Sequence, residues 1–600
     1  MKRIIIAAIA LSLGLSSCDD LLDLQPLSQI SQVDYFKTET DLQLFTNSFY
    51  NNLLDKEPYD DQSDLYVQQN LSDEMLGGTK RTVPASGGGW TWTDLRKMNT
   101  LLAYVNQCAD EDAVVKYTAL TRFFRAYFYF EKVKRFGDVP WYDTELGSGD
   151  ETLYKARDSR ELIMTHMIED VDYAIANLPD DKEEASAPYR ATKWAAMALK
   201  VQFCLYEGTY RKYHQLNLDG HNYSYYLEQS AATAQELMTK GPYKLYTTGH
   251  PESDYLNLFA EEDANPDEYI LAIKFDYGLA IYHNATAHTL VPTQGRPGLT
   301  RKMVNTYLKK DGTAFTDQAN WQETTFINEV KDRDPRLAQS IRTPGYTRIG
   351  KTEVLSPDLS TSVTGYQPIK FVQDPTASGG NVDRNSRSTC DLPVYRYAEV
   401  LLNYAEAKAE LGTLTQDDLN NSINLIRKRA GMPDLDLAAA NAHPDRYLAS
   451  EETGYSNVTG TNKGVILEIR RERGIELMQE GFRFDDLVRW KAGYCIDQPI
   501  TGMYFPGPGA YDLTGDEKAD VVLYAKGTAK PDAPSGTQVY EIGTEIILSG
   551  DNSGYIYYHK NISRTGFSEE RDYLYPIPSN ERSLNHNLAQ NPGWKDGLSF

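Results

Sequence analysis

What most constrains this chain is a series of amphipathic segments in which aromatic residues recur at helical spacing. Residues 119–136 (ALTRFFRAYFYFEKVKRF) place Leu120, Phe123, Phe124, Tyr127, Phe130 and Val133 on one helix face. Gly137 follows as a C-cap, and Pro140 prevents continuation. Residues 159–178, stopped by Pro179, read the same way, as do 191–210 and 225–239. The pattern returns at 394–411, capped by Gly412, then at 416–430 and 464–492. Short connections pair several of these helices, as in tetratricopeptide-type repeats. The expected fold is therefore all-α dominated. Helix pairs of tetratricopeptide type form a superhelical scaffold, and long loop-rich insertions carry short β strands.

The chain of 600 residues is long enough for more than one lobe. Its expected division is a signal peptide over 1–17, a lipidated tether over 18–40 and a helical region over 41–250 with a ligand loop at 72–94. A loop-rich, ligand-facing insertion follows over 251–392, then a second helical region over 393–500 and a loop-rich C-terminal region over 501–600. Within the last, 521–524 and 546–548 read as short β stretches. Loops this long in a compact protein are usually functional.

At the N-terminus, Met1-Lys2-Arg3 precedes an apolar run over 4–15 that is too short to span a bilayer. The run ends at Leu15-Ser16-Ser17-Cys18, the pattern of a bacterial lipobox. Cys18 is the expected lipidation site, with acyl chains contributing roughly 0.8 kcal/mol per buried CH₂. The bland alternative is an ordinary secretory signal with an incidental Cys. Cys108, Cys204, Cys390 and Cys495 match no zinc spacing, and Cys108 and Cys204 read as buried free thiols, although an exported protein also permits a disulfide.

A formal charge of -24 argues against nucleic acid and gives no polybasic patch for an anionic membrane. Neutral ligands fit better. Tyrosine is abundant, at 42 against 19 Phe, which suits both helix packing and polar, ring-shaped ligands. No HExxH, GxSxG, Walker or dinucleotide-binding motif is present. A glycosidase carboxylate pair would be invisible among 85 acidic residues. The acidic loop of Asp512, Asp516, Glu517 and Asp520 offers oxygen ligands for Ca²⁺ but lacks EF-hand spacing, and reads as solvated. No other cofactor or metal is expected.

A sugar site needs a flat aromatic surface with a few hydrogen-bonding partners. The loop at 72–94 supplies Trp90 and Trp92, flanked by Gly87-Gly88-Gly89 and Thr91, with Asp73, Arg81 and Asp94 nearby. Two residues apart in an extended loop, both rings can share one face; alternatively, one Trp packs inward and anchors the loop. Tyr282, His283 and Asn284, within 276–298, form a second candidate. His283 and His288 lack a third ligand type, so metal binding is not expected there. Trp321 is a third aromatic candidate.

Several blocks carry a family resemblance. Residues 124–130 (FRAYFYF) lead into Phe136-Gly137-Asp138-Val139-Pro140-Trp141; 395–407 read YRYAEVLLNYAEA; 469–477 read IRRERGIEL and precede 481–490, GFRFDDLVRW. Tyr35-Phe36 near the front, and Tyr573-Leu574-Tyr575-Pro576-Ile577-Pro578 with Asn591-Pro592-Gly593-Trp594 at the end, complete the set. In this order the blocks resemble the SusD/RagB family of surface lipoproteins across essentially the whole mature chain. The resemblance implies a tetratricopeptide-containing helical fold, a lipid anchor in the outer membrane facing the exterior, and a SusC-like TonB-dependent barrel as partner. It also implies that the protein delivers glycan for nutrient uptake and is not an enzyme. Rival readings are a peptide-binding uptake lipoprotein, a surface glycoside hydrolase, and a lid with no ligand site of its own. By their spacing, Arg470, Arg471, Glu472, Arg473 and Glu476 read as structural ion pairs on a helix rather than as an acid/base site.

Overall fold

The computed structural model describes residues 35–54, 62–183 and 186–600. Cys18 and the signal segment lie outside these residues. Among the described residues, nine principal helices build the scaffold: α1 (Glu39–Leu53), α2 (Thr93–Tyr104), α3 (Glu111–Phe136), α4 (Arg160–Asn177), α5 (Lys193–His214), α6 (Tyr223–Lys240), α7 (Tyr397–Leu411), α8 (Lys463–Glu476) and α9 (Arg483–Arg489). Among the described residues no helix is long and apolar enough to cross a membrane.

Local signals account for most boundaries. Thr38 and Asp41 form a capping box at the start of α1. The Asp110 side chain accepts from the Ala113 amide, so α3 begins before the apolar run that marks it in the sequence. It ends at Gly137, whose φ of +72° a side chain would resist. Ser159 and Thr192 cap α4 and α5 in the same manner as Asp110.

The helices pack in neighbouring pairs, α3 on α4 and α5 on α6, and α7 docks on α5, α6 and α8. Two expected helices are interrupted. Residues 464–492 break after α8 because Gln479 and Gly481 both take left-handed backbone, at φ +60° and +83°. The chain then turns back as α9. Residues 416–430 split at Ser422, whose φ of -137° and ψ of -93° are not helical. The start of the 394–411 segment is not helix either. Strand β2 (Leu392–Arg396) pairs antiparallel with β1 (Tyr269–Ile273), and α7 begins at Tyr397.

The loop-rich regions are tied by short strands. Tyr66–Val67 pairs with Gly298–Leu299, and Tyr504–Phe505 with Gly554–Tyr555. Val521–Tyr524 lies between Gly509–Tyr511 and Gln538–Glu541. The expected strand at 546–548 reduces to isolated bridges at Ile546 and Leu548. Cys108, Cys204, Cys390 and Cys495 are free and buried.

A buried ion network joins the helical and loop-rich halves. Glu476 of α8 accepts from Arg396 at 2.8 Å and from Arg429 at 2.6 Å, with Arg336 at 3.4 Å. Arg336 also pairs with Asp334 and Glu472, and Arg427 pairs with Glu472. Arg396 adds Glu268 and Glu480. Arg473 pairs with Asp486, and Arg489 bridges Asp486 to Glu406. Burial penalises the Glu406 and Glu476 carboxylates, but the guanidinium groups outweigh it, holding Glu406 down to about 2 and Glu476 well below the usual range, whereas at Glu268 burial prevails and raises the pKa. Arg470 lies 4.2 Å from the centre of the Trp490 ring. The charged helix read from the sequence as structural is thus a hub within the core.

Candidate functional site

The Gly-rich loop is strapped to α3. Lys132 donates to the Gly89 carbonyl at 2.5 Å, and Arg135 to that of Gly88 at 2.6 Å. The turn brings Trp90 and Trp92 together with ring centres 5.3 Å apart, but directs them inward. Trp90 is only 7% exposed and meets Phe136 edge-on at 4.9 Å. Half-buried Trp92 leans on Phe128 and Tyr142. The shared ligand-facing surface expected of these rings is therefore not formed, because burying them against α3 removes more apolar area from water than exposure would. Arg81 is also buried. It pairs with Asp572 at 3.2 Å and sits against Tyr575 and Trp594. Asp94 accepts from Asn52 and pairs with Lys97. Asp73 is exposed in the first turn of Asp73–Leu76.

Of Tyr282, His283 and Asn284, only Tyr282 keeps a partly open ring. It is half-buried, with the Arg387 guanidinium 4.7 Å from its centre. His283 is buried, with Nε2 2.9 Å from the Cys390 carbonyl, and burial pushes its pKa down to about 4. Asn284 is buried and accepts from the Ser386 amide at 2.8 Å. His283 and Asn284 are thus fixed by their own loop rather than presented to a ligand edge. His288 is likewise buried and its pKa lowered to about 4 by burial. Beside them the chain exposes Tyr277, Leu279 and Ile281.

The acidic loop spends its carboxylates on its own backbone. Asp512 accepts from the amides of Thr514, Gly515 and Glu517, and Asp520 from those of Leu513 and Thr514. Among the described residues no group of three or more metal-ligating side chains is assembled.

Trp321 has the surroundings that the other tryptophans lack. It is half-buried, as Trp92 is, and Tyr447 meets its ring edge-on at 5.6 Å. Beneath it, buried Arg301 donates to the carbonyls of Trp321 and Gln322, each at 3.1 Å. The same guanidinium lies 4.6 Å from the Tyr555 ring, which is 5.8 Å from that of Tyr504. Tyr447, Tyr504 and Tyr555 are all half-buried. Arg301 is held by Glu329 at 2.8 Å, and Glu329 accepts the Tyr366 hydroxyl at 2.6 Å. Burial disfavours the Arg301 charge, but Tyr366 and Glu329 keep its pKa above the ordinary value. Asn320, Gln322 and Glu323 are exposed in the same segment. The arrangement is a set of open aromatic edges and faces on a rigid ionic base, with polar groups around it. Tyr447, Tyr504 and Tyr555 went unnoticed in the sequence because they are three among many tyrosines, and their approach to Trp321 depends on long-range packing.

Comparison with known proteins places the chain. The family model described as "SusD family" matches residues 274–594, more than half of the sequence. The chain belongs to the SusD family. A second model, "Starch-binding associating with outer membrane", matches residues 90–205 of this SusD-family protein. The chain is 23% identical over 543 residues to "SusD-like protein P38" of Formosa agariphila, covering 82% of this chain and 92% of the relative. Among solved structures it is similar to a SusD-like carbohydrate binding protein from Bacteroides fragilis, with a TM-score of 0.67, 22% identity, and coverage of 92% of this chain and all of the other. A further SusD-like protein from the same organism matches with a TM-score of 0.66 at 21% identity, over 93% and 98% of the two chains. The helical architecture is therefore that of the SusD family.

Proposed function

We propose that this SusD-family protein is a non-catalytic glycan-capture lipoprotein. It is held to the outer membrane through lipid on Cys18 and faces the cell exterior. It passes oligosaccharide to a SusC-like TonB-dependent transporter for nutrient uptake. The observation that carries the reading is the half-buried cluster of Trp321, Tyr447, Tyr504 and Tyr555 on its Arg301–Glu329 base. Apolar C–H faces of a sugar stack on such rings, while its hydroxyls reach the polar rim. Affinity at one such open site is modest, because sugar hydroxyls give up good water contacts, and modest affinity suits a protein that must release its cargo. The carbohydrate-binding description of the Bacteroides fragilis structure and the starch-binding description of the second family model support the same ligand class.

The inward packing of Trp90 and Trp92 favours one rival, a lid whose role is only to close a barrel. Affinity electrophoresis of the soluble protein through gels carrying different polysaccharides separates the two, with product analysis alongside. Retardation by at least one glycan without shortening of the polymer supports capture. Free migration through every gel supports the lid, and shortened polymer supports hydrolysis.

A further inference from the structure

β1 ends at Ile273 opposite Leu392, the start of β2, so the segment after β1 and the segment before β2 leave the strand pair side by side. The first turns back on itself as a tight hairpin, in which the amides of Asp276 and Ile281 each donate to the other's carbonyl at 3.0 Å. Ala280, at a left-handed φ of +56°, helps to close it, and its amide donates to the Tyr277 carbonyl at 3.3 Å. The Asp276 carboxylate accepts from the Leu279 amide at 2.9 Å, so the one charged side chain of residues 276–281 is used within the turn. What the tip presents to solvent is apolar: Tyr277 is 50% exposed, Leu279 70% and Ile281 46%. Single apolar side chains scattered on a surface need no explanation, but three on one hydrogen-bonded tip mark a contact site.

The second segment supplies charge. It is fastened to the hairpin at both ends. A side chain at Gly379 would meet the Tyr277 hydroxyl at 2.9 Å, and the main chains of His283 and Ser388 exchange hydrogen bonds of 3.1 and 3.0 Å. Between these points lie Arg384 and Arg387. Arg384 is exposed, and its side chain has no acceptor among the described residues. Arg387 donates to the Ser386 carbonyl at 3.2 Å and covers the Tyr282 ring, with no carboxylate partner among the described residues. Asp383, beside them, is taken by Arg348 at 2.6 Å. Elsewhere carboxylates hold the guanidinium groups, as at Arg301, Arg336, Arg396 and Arg489. Two uncompensated cations therefore stand beside an apolar tip, on a chain whose formal charge is -24.

We propose that residues 276–282, with Arg384 and Arg387, form a membrane-contact tip that enters the interface of a bilayer carrying anionic phosphate headgroups. Leu279 and Ile281 reach the acyl boundary, a fluid medium that accepts a projecting tip without a shaped pocket. Tyr277 and Tyr282, each an apolar ring with a hydroxyl, suit the headgroup level. The two guanidinium groups take phosphate oxygens as the partners that the protein does not give them. Lipid on Cys18 attaches the protein to the membrane, and the tip fixes which face of the body is turned towards it. The proposal takes from the functional reading only the outer-membrane location, and a test without the lipid reads it independently of anchoring and of glycan capture.

Co-sedimentation of the soluble protein, beginning after Cys18, with lipid vesicles tests it. The vesicles are phosphatidylcholine alone, phosphatidylcholine with phosphatidylglycerol, and phosphatidylcholine with lipid A. The variants are the pair Leu279→Ser and Ile281→Ser together, the pair Arg384→Gln and Arg387→Gln together, and Leu584→Ser as a control at a leucine 72% exposed elsewhere. Surface substitutions of this kind leave the fold intact, which circular dichroism verifies. Wild type is expected to sediment with at least one anionic mixture, which identifies the headgroup, and more weakly with phosphatidylcholine alone. The apolar pair of substitutions is expected to weaken binding about tenfold or more. The arginine pair is expected to weaken it roughly fivefold for each cation lost, on anionic vesicles only, and less at high salt. Leu584→Ser is expected to bind as wild type does. Failure of wild type to sediment with any vesicle overturns the proposal, as does undiminished binding in the apolar pair or equal loss in Leu584→Ser. Tip variants that bind vesicles normally but lose a protein partner from solubilised outer membrane assign the tip to a protein contact and also overturn it.

Discussion

Arg301 donates to the main-chain oxygen of Trp321 at 3.1 Å from a position where its own side chain is buried. This bond couples a half-buried tryptophan considered as a ligand platform to an ion pair in the core. Replacing Arg301 by Met removes the partner of buried Glu329 and the support beneath Trp321 and Tyr555. The expected cost is about 3–5 kcal/mol, because an uncompensated buried charge remains. Urea unfolding followed by tryptophan fluorescence measures it.

Trp90 has the opposite character. Its ring is an anchor for the Gly-rich loop, packed on Phe136 and Trp92. Trp90→Ala is expected to destabilise the protein by about 3–5 kcal/mol, as large aromatic truncations in cores do. Polysaccharide affinity, measured well below the lowered melting temperature, stays within twofold of wild type.

These two tryptophans show where the sequence is informative and where it is not. Helical spacing exposed α3, because Phe123, Phe124, Tyr127 and Phe130 repeat with a period that only a helix satisfies. The break after α8 was hidden, since Gln479 carries no sign that its backbone turns left-handed. Trp90 and Trp92 look like an exposed pair because a Gly-rich loop suggests openness; their burial depends on α3 passing underneath, which local pattern does not encode. Trp321 was legible as a candidate, whereas Tyr447 and Tyr555 reach it from 126 and 234 positions away along the chain.

The ion network makes a third expectation sharp. Glu476 faces Arg336, Arg396 and Arg429 within the core. Glu476→Gln removes the charge common to all three and should cost at least about 3 kcal/mol. Glu39→Gln, which breaks an exposed pair with Lys116, should cost less than about 1 kcal/mol. Chemical denaturation of both variants against wild type provides the comparison.

Acid should weaken the fold in two stages. Burial pushes His214 and His283 down from 6.5 to about 4. Between these values the unfolded chain takes up protons that the folded chain refuses, so stability falls as pH falls from 6.5 to 4. Glu406, despite burial, is held at about 2 by Arg489 against an ordinary 4.5, and its contribution is lost as pH falls from 4.5 towards 2. Melting temperatures recorded from pH 7 to 2.5 should decline through both windows, and His283→Gln should flatten the first. A constant melting temperature from pH 7 to 4 would contradict the buried neutral histidines.

The most direct test of glycan capture is isothermal titration of the polysaccharide that retards the protein most, against wild type and Trp321→Ala. The account predicts heat of binding in wild type and at least a tenfold loss of affinity in Trp321→Ala, with the melting temperature little changed because the ring is only half-buried. Undiminished polysaccharide affinity in Trp321→Ala would contradict it and move the capture site elsewhere on the protein.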